Sequence, residues 1–231
     1  AELAGIEPTL KQGQVRWYKK PEKGYTYLLG LDPSLGTGGD PAAIQIIEIP
    51  SMKQVGEWQH NKTPIQRQVV ILKEIAEYIH EVTGNETSIY YSVENNTIGE
   101  AALLSIAEIG EENIRGVFMS EPARVGHTRM HRKGFTTSNK SKLAACAKLK
   151  NFIESKKIHI ASKNLISELK TFVAHGTSFA AKPGETDDLV MGTILAVRMM
   201  THLQNYHSDM HNYLRDHGES FADPMPFIVS R

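Results

Sequence analysis

The stretch GLDPSLGTGGD, residues 30–40, decides the fold of this chain. An apolar run over residues 25–31 leads into it and ends at Asp32, after which Pro33 cannot donate a hydrogen bond to a strand ladder. We therefore predict a buried strand that ends at a carboxylate and opens into a glycine-rich loop carrying Asp40. A charge at the end of a core strand is unfavourable unless it is paired or bound to a cation. The alternative is a turn in which Asp32 caps its own backbone.

The composition bounds the class of protein. At 231 residues, of which 40% are apolar, the chain can form one large domain or two small ones with a real core. No apolar stretch approaches the roughly 20 residues of a membrane span, and the first residues lack the pattern of a signal peptide. The single cysteine, Cys146, excludes an internal disulfide and indicates a reducing compartment. The absence of an initiator methionine indicates a processed chain or an excised domain.

The charge is balanced overall but unevenly distributed. The chain has 26 basic and 26 acidic residues, yet residues 122–153, the basic segment, contain no Asp or Glu. Such a cationic segment in a neutral protein is a candidate for binding a polyanion, although a solvated helix face beside a basic loop gives the same pattern. The candidate nucleic-acid contacts in this segment are Arg124, Arg129, Arg132, Lys133, Lys140 and Lys142.

Turn residues and hydrophobic periodicity divide the chain into a lead-in arm at residues 1–24, an α/β domain at 25–204 and a polar tail at 205–231. Short connections between the first strands favour an antiparallel three-stranded meander, and a long helical crossover favours parallel pairing of the next strand. We therefore predict a mixed central sheet flanked by helices. The predicted strands are 25–31, 42–49, 54–58, 88–93, 116–119 and 158–160, with a short edge strand at 15–18 and a hairpin at 172–179. The predicted helices are 64–82, 98–109, 139–156, 164–171 and 189–203.

Two of the predicted strands end in a carboxylate. Asp32 follows the first strand, and Glu94 follows the strand at 88–93. Parallel neighbours lie ~4.8 Å apart, so these two side chains are expected side by side at one edge of the sheet. Two carboxylates that close repel each other unless one is protonated or a cation lies between them. Hard oxygen ligands with glycine and asparagine backbone around them suit Mg²⁺ or Mn²⁺.

The third candidate ligand belongs to the pair Asp187 and Asp188, at the head of the last predicted helix. Thr186 or Asp187 can cap that helix, and the other acid then projects from its first turn. Because Leu189 and Val190 continue into the buried face, the residue just before them is expected near the sheet edge. Between the two acids we predict Asp187 as the ligand, with Asp188 as the alternative. Carboxylates from two strands and a helix, in this order, indicate phosphodiester hydrolysis with two metal ions.

These motifs resemble the nuclease domain of the large terminase subunit of T-even-like tailed bacteriophages. The matching stretches are LDPS at 31–34 with GGD at 38–40, SVENN at 92–96, and GETDDLVM at 184–191. The resemblance covers residues 15–205, and the ordered set of motifs is more specific than any one of them.

The resemblance implies an RNase H-like fold and a divalent-metal endonuclease that cuts concatemeric DNA during genome packaging in the host cytoplasm. It makes Asp32, Glu94 and one of Asp187 and Asp188 the metal ligands, with Asp40 near the site. The partners that it implies are double-stranded DNA, an ATPase motor domain, the small terminase subunit and the portal. The phosphate-loop motif of such a motor is absent from this sequence, so we expect an isolated domain without ATP-dependent activity of its own.

Two other functions fit the sequence less well. A phosphotransferase of the sugar-kinase and actin type also ends its first strand in Asp before a Gly/Thr loop, and residues 36–39 could serve as that loop. That class usually needs two such domains and a longer chain. A non-catalytic DNA-binding or motor-docking module would use the acids structurally. Plasmid cleavage with Mg²⁺ or Mn²⁺ separates these functions from a nuclease.

Overall fold

A computed structural model describes residues 3–121, 133–176 and 178–206, which form a mixed sheet with helices on both faces. In these parts of the chain the sheet has seven strands, in the order β1-β2-β5-β4-β3-β6-β7. The strands are β1 (Leu10–Gln12), β2 (Val15–Trp17), β3 (Thr26–Asp32), β4 (Ala42–Ile49), β5 (Lys53–His60), β6 (Ser88–Val93) and β7 (Val117–Phe118).

The helices and a separate hairpin follow the same chain order. The helices are α1 (Ile65–Thr83), α2 (Thr97–Ile109), α3 (Asn139–Glu154), α4 (Lys163–Thr171) and α5 (Asp188–Tyr206), and the hairpin pairs β8 (Phe172–His175) with β9 (Ser178–Ala181). Among the described residues, no helix combines the length and the apolar character that crossing a bilayer requires.

The strand pairing confirms the mixed sheet that the sequence predicts. Strands β3, β4 and β5 pair antiparallel as a meander, and α1 carries the chain over the sheet so that β6 pairs parallel with β3. A β-strand presents successive side chains to opposite faces. Accordingly, Leu28 packs in the apolar cluster of α3, α4 and α5, whereas Leu29 and Leu31 pack in the cluster of α1 and α2. Both faces of β3 are therefore buried.

The lead-in arm contributes to this sheet. Strand β2 pairs with β5, and β1 pairs with β2 at the outer edge, so residues 10–17 extend the meander by two strands. The strand predicted at residues 158–160 is wrong. His159 makes only a single bridge to Lys53, because β2 and Tyr18 already occupy the edge of β5 from Val55 onwards. Helix α5 continues to Tyr206, and the rest of the predicted tail lies outside the described residues.

Helix α5 lies directly against β3 because two glycines face each other. A Cβ atom on Gly30 would lie 2.9 Å from the carbonyl oxygen of Gly192, closer than side-chain carbons approach oxygen in folded proteins. A Cβ atom on Gly192 would lie 3.2 Å from Cγ of Gln45, on the neighbouring strand. Close packing at this crossing leaves no room for a methyl group, so it sets the distance between the helix and the sheet.

We expect Gly30→Ala to lower the free energy of unfolding by about 1–3 kcal/mol, because the added methyl group forces α5 away from the sheet. Urea denaturation monitored by circular dichroism measures the change. The control is Gly39→Ala, since no atom lies within 4 Å of the Cβ position there. Equal stability of Gly30→Ala and the parent protein would show that the helix does not depend on this contact.

Candidate metal centre

The pairing register places Asp32 and Glu94 side by side. The last paired residues of the parallel strands are Leu31 and Val93, and the amide of Glu94 donates a hydrogen bond to the carbonyl oxygen of Leu31 at 3.0 Å. Alternation along β3 puts Asp32 on the same face as Gly30, which is the face covered by α5. Both carboxylates therefore lie at one edge of the sheet, beneath the helix.

The backbone at Glu94 is held from two sides. On one side, Asn96 caps α2 by accepting hydrogen bonds from the amides of Ile98 and Gly99 at 3.0 and 2.8 Å. Gly99 lies so close to the strand end that a Cβ atom would be 2.0 Å from the carbonyl oxygen of Glu94. On the other side, Phe135 bridges to Glu94 as a short parallel extension of the sheet. These contacts fix the direction in which the Glu94 side chain leaves the strand.

The electrostatics at this edge are unfavourable for isolated carboxylates. Asp32 and Glu94 are only 8% and 7% exposed, and no described Lys or Arg forms an ion pair with either. Burial raises the pKa of Asp32 well above its ordinary value, and repulsion by Glu94 and a hydrogen bond with Glu94 raise it further. Asp188 and Asp187 add smaller contributions in the same direction. The four acids therefore belong to one electrostatic cluster.

The two acids at the head of α5 have different surroundings. Asp188 is 9% exposed, and burial raises its pKa to about 7, with further contributions from Glu168, Asp187 and Asp40. The side chain of Asp187 is less buried and accepts a hydrogen bond from the amide of Ala181, at the end of the hairpin, at 3.2 Å. These contacts favour Asp188 over Asp187 as the carboxylate that faces Asp32.

The cap of α5 is not the one that the sequence predicts. The hydroxyl of Thr186 donates to Oε1 of Glu168 at 3.0 Å, and the first-turn amide of Val190 donates to Oε2 of the same carboxylate at 3.1 Å. A carboxylate from α4 therefore caps this helix end in place of Thr186 or Asp187. Sequence reasoning missed Glu168, because its only signal is one acid on a helix turn beside the apolar Leu165 and Leu169.

The acidic cluster has the chemistry of a divalent-metal site. No described Lys or Arg forms an ion pair with Asp32 or Glu94, although Arg198 attracts Glu94 at longer range. Hard oxygen donors are what Mg²⁺ and Mn²⁺ prefer. Asp40 is exposed, and its charge contributes to raising the pKa of Asp188, so the loop after β3 brings it to the same edge. Among the described residues, no three His, Cys, Asp or Glu side chains are already arranged as a metal-ligand set. Side-chain rotation would have to close these carboxylates around an ion.

The residues on either side of 122–132, the first part of the basic segment, lie close to Glu94. Glu121, just before it, donates its amide to the carbonyl oxygen of Gly134 at 3.1 Å, and its carboxylate pairs with Arg198 of α5. The carbonyl oxygen of Lys133 accepts from Nδ2 of Asn95 at 2.9 Å, next to Glu94 in sequence.

Three of the six predicted DNA contacts belong to described residues. The side chain of Lys133 pairs with Glu111, and Lys140 and Lys142 lie in the first turns of α3. The ammonium group of Lys142 lies 5.6 Å from the ring centroid of Phe172. The other predicted contacts, Arg124, Arg129 and Arg132, lie outside the described residues.

We expect Asp32→Asn to raise the melting temperature in metal-free buffer. An acid whose pKa is higher in the folded state destabilises the fold once it ionises, so the parent loses stability as pH rises from about 4 through the raised pKa. The gain from Asp32→Asn should therefore grow as pH rises above about 4, the ordinary range of an aspartate, towards the raised pKa. Scanning calorimetry in chelator at several pH values measures it. Glu108→Gln, the same change at an exposed position, is the control, and a lower melting temperature for Asp32→Asn would contradict the repulsion described above.

Comparison with known proteins identifies the architecture. No family model matches the sequence. The structure is similar to the large terminase nuclease from the thermophilic phage G20c, with a TM-score of 0.61 and 17% identity over 84% of this chain and 92% of that one. It is also similar to the large terminase nuclease domain of Thermus phage P74-26, with a TM-score of 0.58 and 18% identity over 83% and 88%. The human cytomegalovirus terminase nuclease domain matches with a TM-score of 0.56 and 14% identity over 81% and 87%.

Several of these structures contain metals. The G20c nuclease has been solved with bound magnesium, cobalt and zinc, and the cytomegalovirus domain after soaking with manganese. The similarity confirms the resemblance that the three sequence motifs indicate, while its narrower T-even-like form stays a prediction. The chain thus has the RNase H-like fold of the nuclease domains of large terminases.

Proposed function

We propose that this chain is the nuclease domain of a phage large terminase, a divalent-metal-dependent DNA endonuclease. The observation that carries the proposal is that Asp32 and Glu94 lie side by side at adjacent strand ends, with Asp188 close enough to add to the repulsion on Asp32. Two adjacent parallel strands and the start of α5 supply one carboxylate each. Such a cluster is costly for a fold unless it binds cations, which is what metal-dependent phosphodiester hydrolysis requires.

We assign each acid of the cluster a role in metal binding or in the support of the site. Asp32 and Glu94 hold the ions from the strand ends, and Asp188 completes the set from the helix. Asp187 keeps the hairpin against the helix through its hydrogen bond with Ala181. When bound, two Mg²⁺ or Mn²⁺ ions would activate a water molecule and stabilise the leaving oxygen of the phosphodiester. Asp40, which is exposed, supplies further negative charge near Asp188.

The basic segment is proposed to hold double-stranded DNA. It is anchored at Glu121 and Lys133, next to the backbone of Glu94, so a phosphate backbone bound there would pass the carboxylates. Lys140 and Lys142 extend the positive surface along α3. In the complete packaging machine the domain would cut concatemeric DNA in the host cytoplasm, together with an ATPase motor domain, the small terminase subunit and the portal.

We expect purified protein to nick supercoiled plasmid with Mg²⁺ or Mn²⁺ and to lose this activity in chelator. Asp32→Asn, Glu94→Gln and Asp188→Asn should each reduce cleavage by a factor of about 100 or more, because each removes an anionic ligand. Asp187→Asn should keep most of the activity, since asparagine can still accept the hydrogen bond from Ala181. A gel assay on variants with unchanged circular dichroism measures these effects.

The cleavage assay distinguishes between Asp187 and Asp188 as the ligand, and between a nuclease and a DNA-binding module. An active Asp188→Asn beside an inactive Asp187→Asn would support Asp187, the ligand predicted from sequence. Parent protein that binds DNA but never cuts it would instead support a non-catalytic DNA-binding module.

We expect the triple variant Arg129→Ala, Arg132→Ala, Lys133→Ala to bind DNA more weakly, whatever the DNA sequence. Each lost phosphate contact should reduce the slope of log affinity against log salt by about 1. Fluorescence anisotropy with a labelled duplex at several salt concentrations measures the slope. The triple variant Lys11→Ala, Lys20→Ala, Lys23→Ala removes the same charge from exposed positions in the lead-in arm and is the control. Identical slopes for the two variants would remove the basic segment from the interface.

A further inference from the structure

We propose that Glu168 is a positioning residue, which holds the start of α5 so that Asp188 faces the metal centre. This inference rests on the proposed nuclease function, since it concerns the same site. Glu168 is 7% exposed and projects from α4, which is not one of the elements that carry the candidate ligands.

The Glu168 carboxylate joins three parts of the structure. Its Oε1 accepts from Nε2 of Gln59, on β5, at 2.9 Å and from the hydroxyl of Thr186 at 3.0 Å. Its Oε2 accepts from the amide of Val190, in the first turn of α5, at 3.1 Å. A single side chain therefore ties the sheet, the loop before α5 and the helix end together.

These contacts distinguish Glu168 from the candidate ligands. Both of its oxygens already accept hydrogen bonds from amides or a hydroxyl, whereas among the described residues the carboxyls of Asp32 and Glu94 hydrogen-bond only to each other. A carboxylate whose acceptor capacity is used within the protein is poorly available to an ion. Glu168 is therefore assigned to the support of the site and not to the metal itself.

Glu168 supports the site by binding the first turn of α5. The first amides of a helix need an acceptor, and an acid within the first turn commonly provides it. Because Glu168 accepts the hydrogen bond of the Val190 amide from outside the helix, Asp188 is not needed as the acceptor for that amide.

The test compares Glu168→Gln with the parent protein. In Glu168→Gln one of the two oxygens is replaced by an NH₂ group, which donates and cannot accept, so either Val190 or the pair Gln59 and Thr186 loses its acceptor. We expect Mn²⁺ affinity, measured by calorimetry, to fall by a factor of about 10–100, the range for residues that orient metal ligands. In plasmid nicking we expect kcat to fall with little change in KM for DNA, and a high Mn²⁺ concentration to restore part of kcat. The same concentration should not rescue Asp188→Asn, which lacks the ligand.

Two further variants make the outcome decisive. Glu185→Gln changes an exposed acid in the loop before α5 and should behave like the parent. Thr186→Val removes one donor to Glu168 and should cause a smaller loss of Mn²⁺ affinity in the same direction. Unchanged Mn²⁺ affinity and kcat in both Glu168→Gln and Thr186→Val would overturn the inference. A parent protein that neither binds Mn²⁺ nor nicks plasmid would instead refute the proposed nuclease function.

Discussion

The repulsion between the buried carboxylates of Asp32 and Glu94 is the interaction on which the rest of the structure depends. Each lies at or just after the end of a strand whose other residues form the core, and each is almost fully buried. Folding therefore brings two like charges together in a poorly hydrated place, where their interaction is strong. Burial of the apolar residues on both faces of β3 and β6 offsets this repulsion.

The surrounding elements keep this arrangement in place. Gly30 and Gly192 let α5 approach the strand, and Gly99 lets α2 approach the backbone of Glu94. Glu168 fixes the start of α5, and Arg198, further along the same helix, pairs with Glu121 and donates to the carbonyl oxygen of Thr136 at 3.1 Å. One helix thus connects a candidate metal ligand with the residues on either side of 122–132, the first part of the basic segment. A strained charge cluster held by rigid packing is typical of sites where function is favoured over stability.

The sequence predicts those features that depend on local periodicity and chain connection. The run that ends at Asp32, the crossover helix and the run that ends at Glu94 were enough to predict parallel neighbours, because handedness and connection length leave few alternatives. The choice between Asp187 and Asp188 could not be made in this way, since one residue of uncertainty at a helix start changes which side chain faces inward. The role of Glu168 could not be predicted from sequence for a different reason. Its partners Gln59 and Val190 are distant in sequence, and no pattern along the chain records such a contact.

Anomalous diffraction from crystals soaked with Mn²⁺ tests the central claim most directly. The account predicts anomalous peaks at the sheet edge, coordinated by carboxylate oxygens of Asp32, Glu94 and Asp188, with Glu168 keeping its hydrogen bonds to Thr186 and Val190. Crystals that bind Mn²⁺ only elsewhere, or in which Arg or Lys side chains neutralise Asp32 and Glu94 directly, would contradict it.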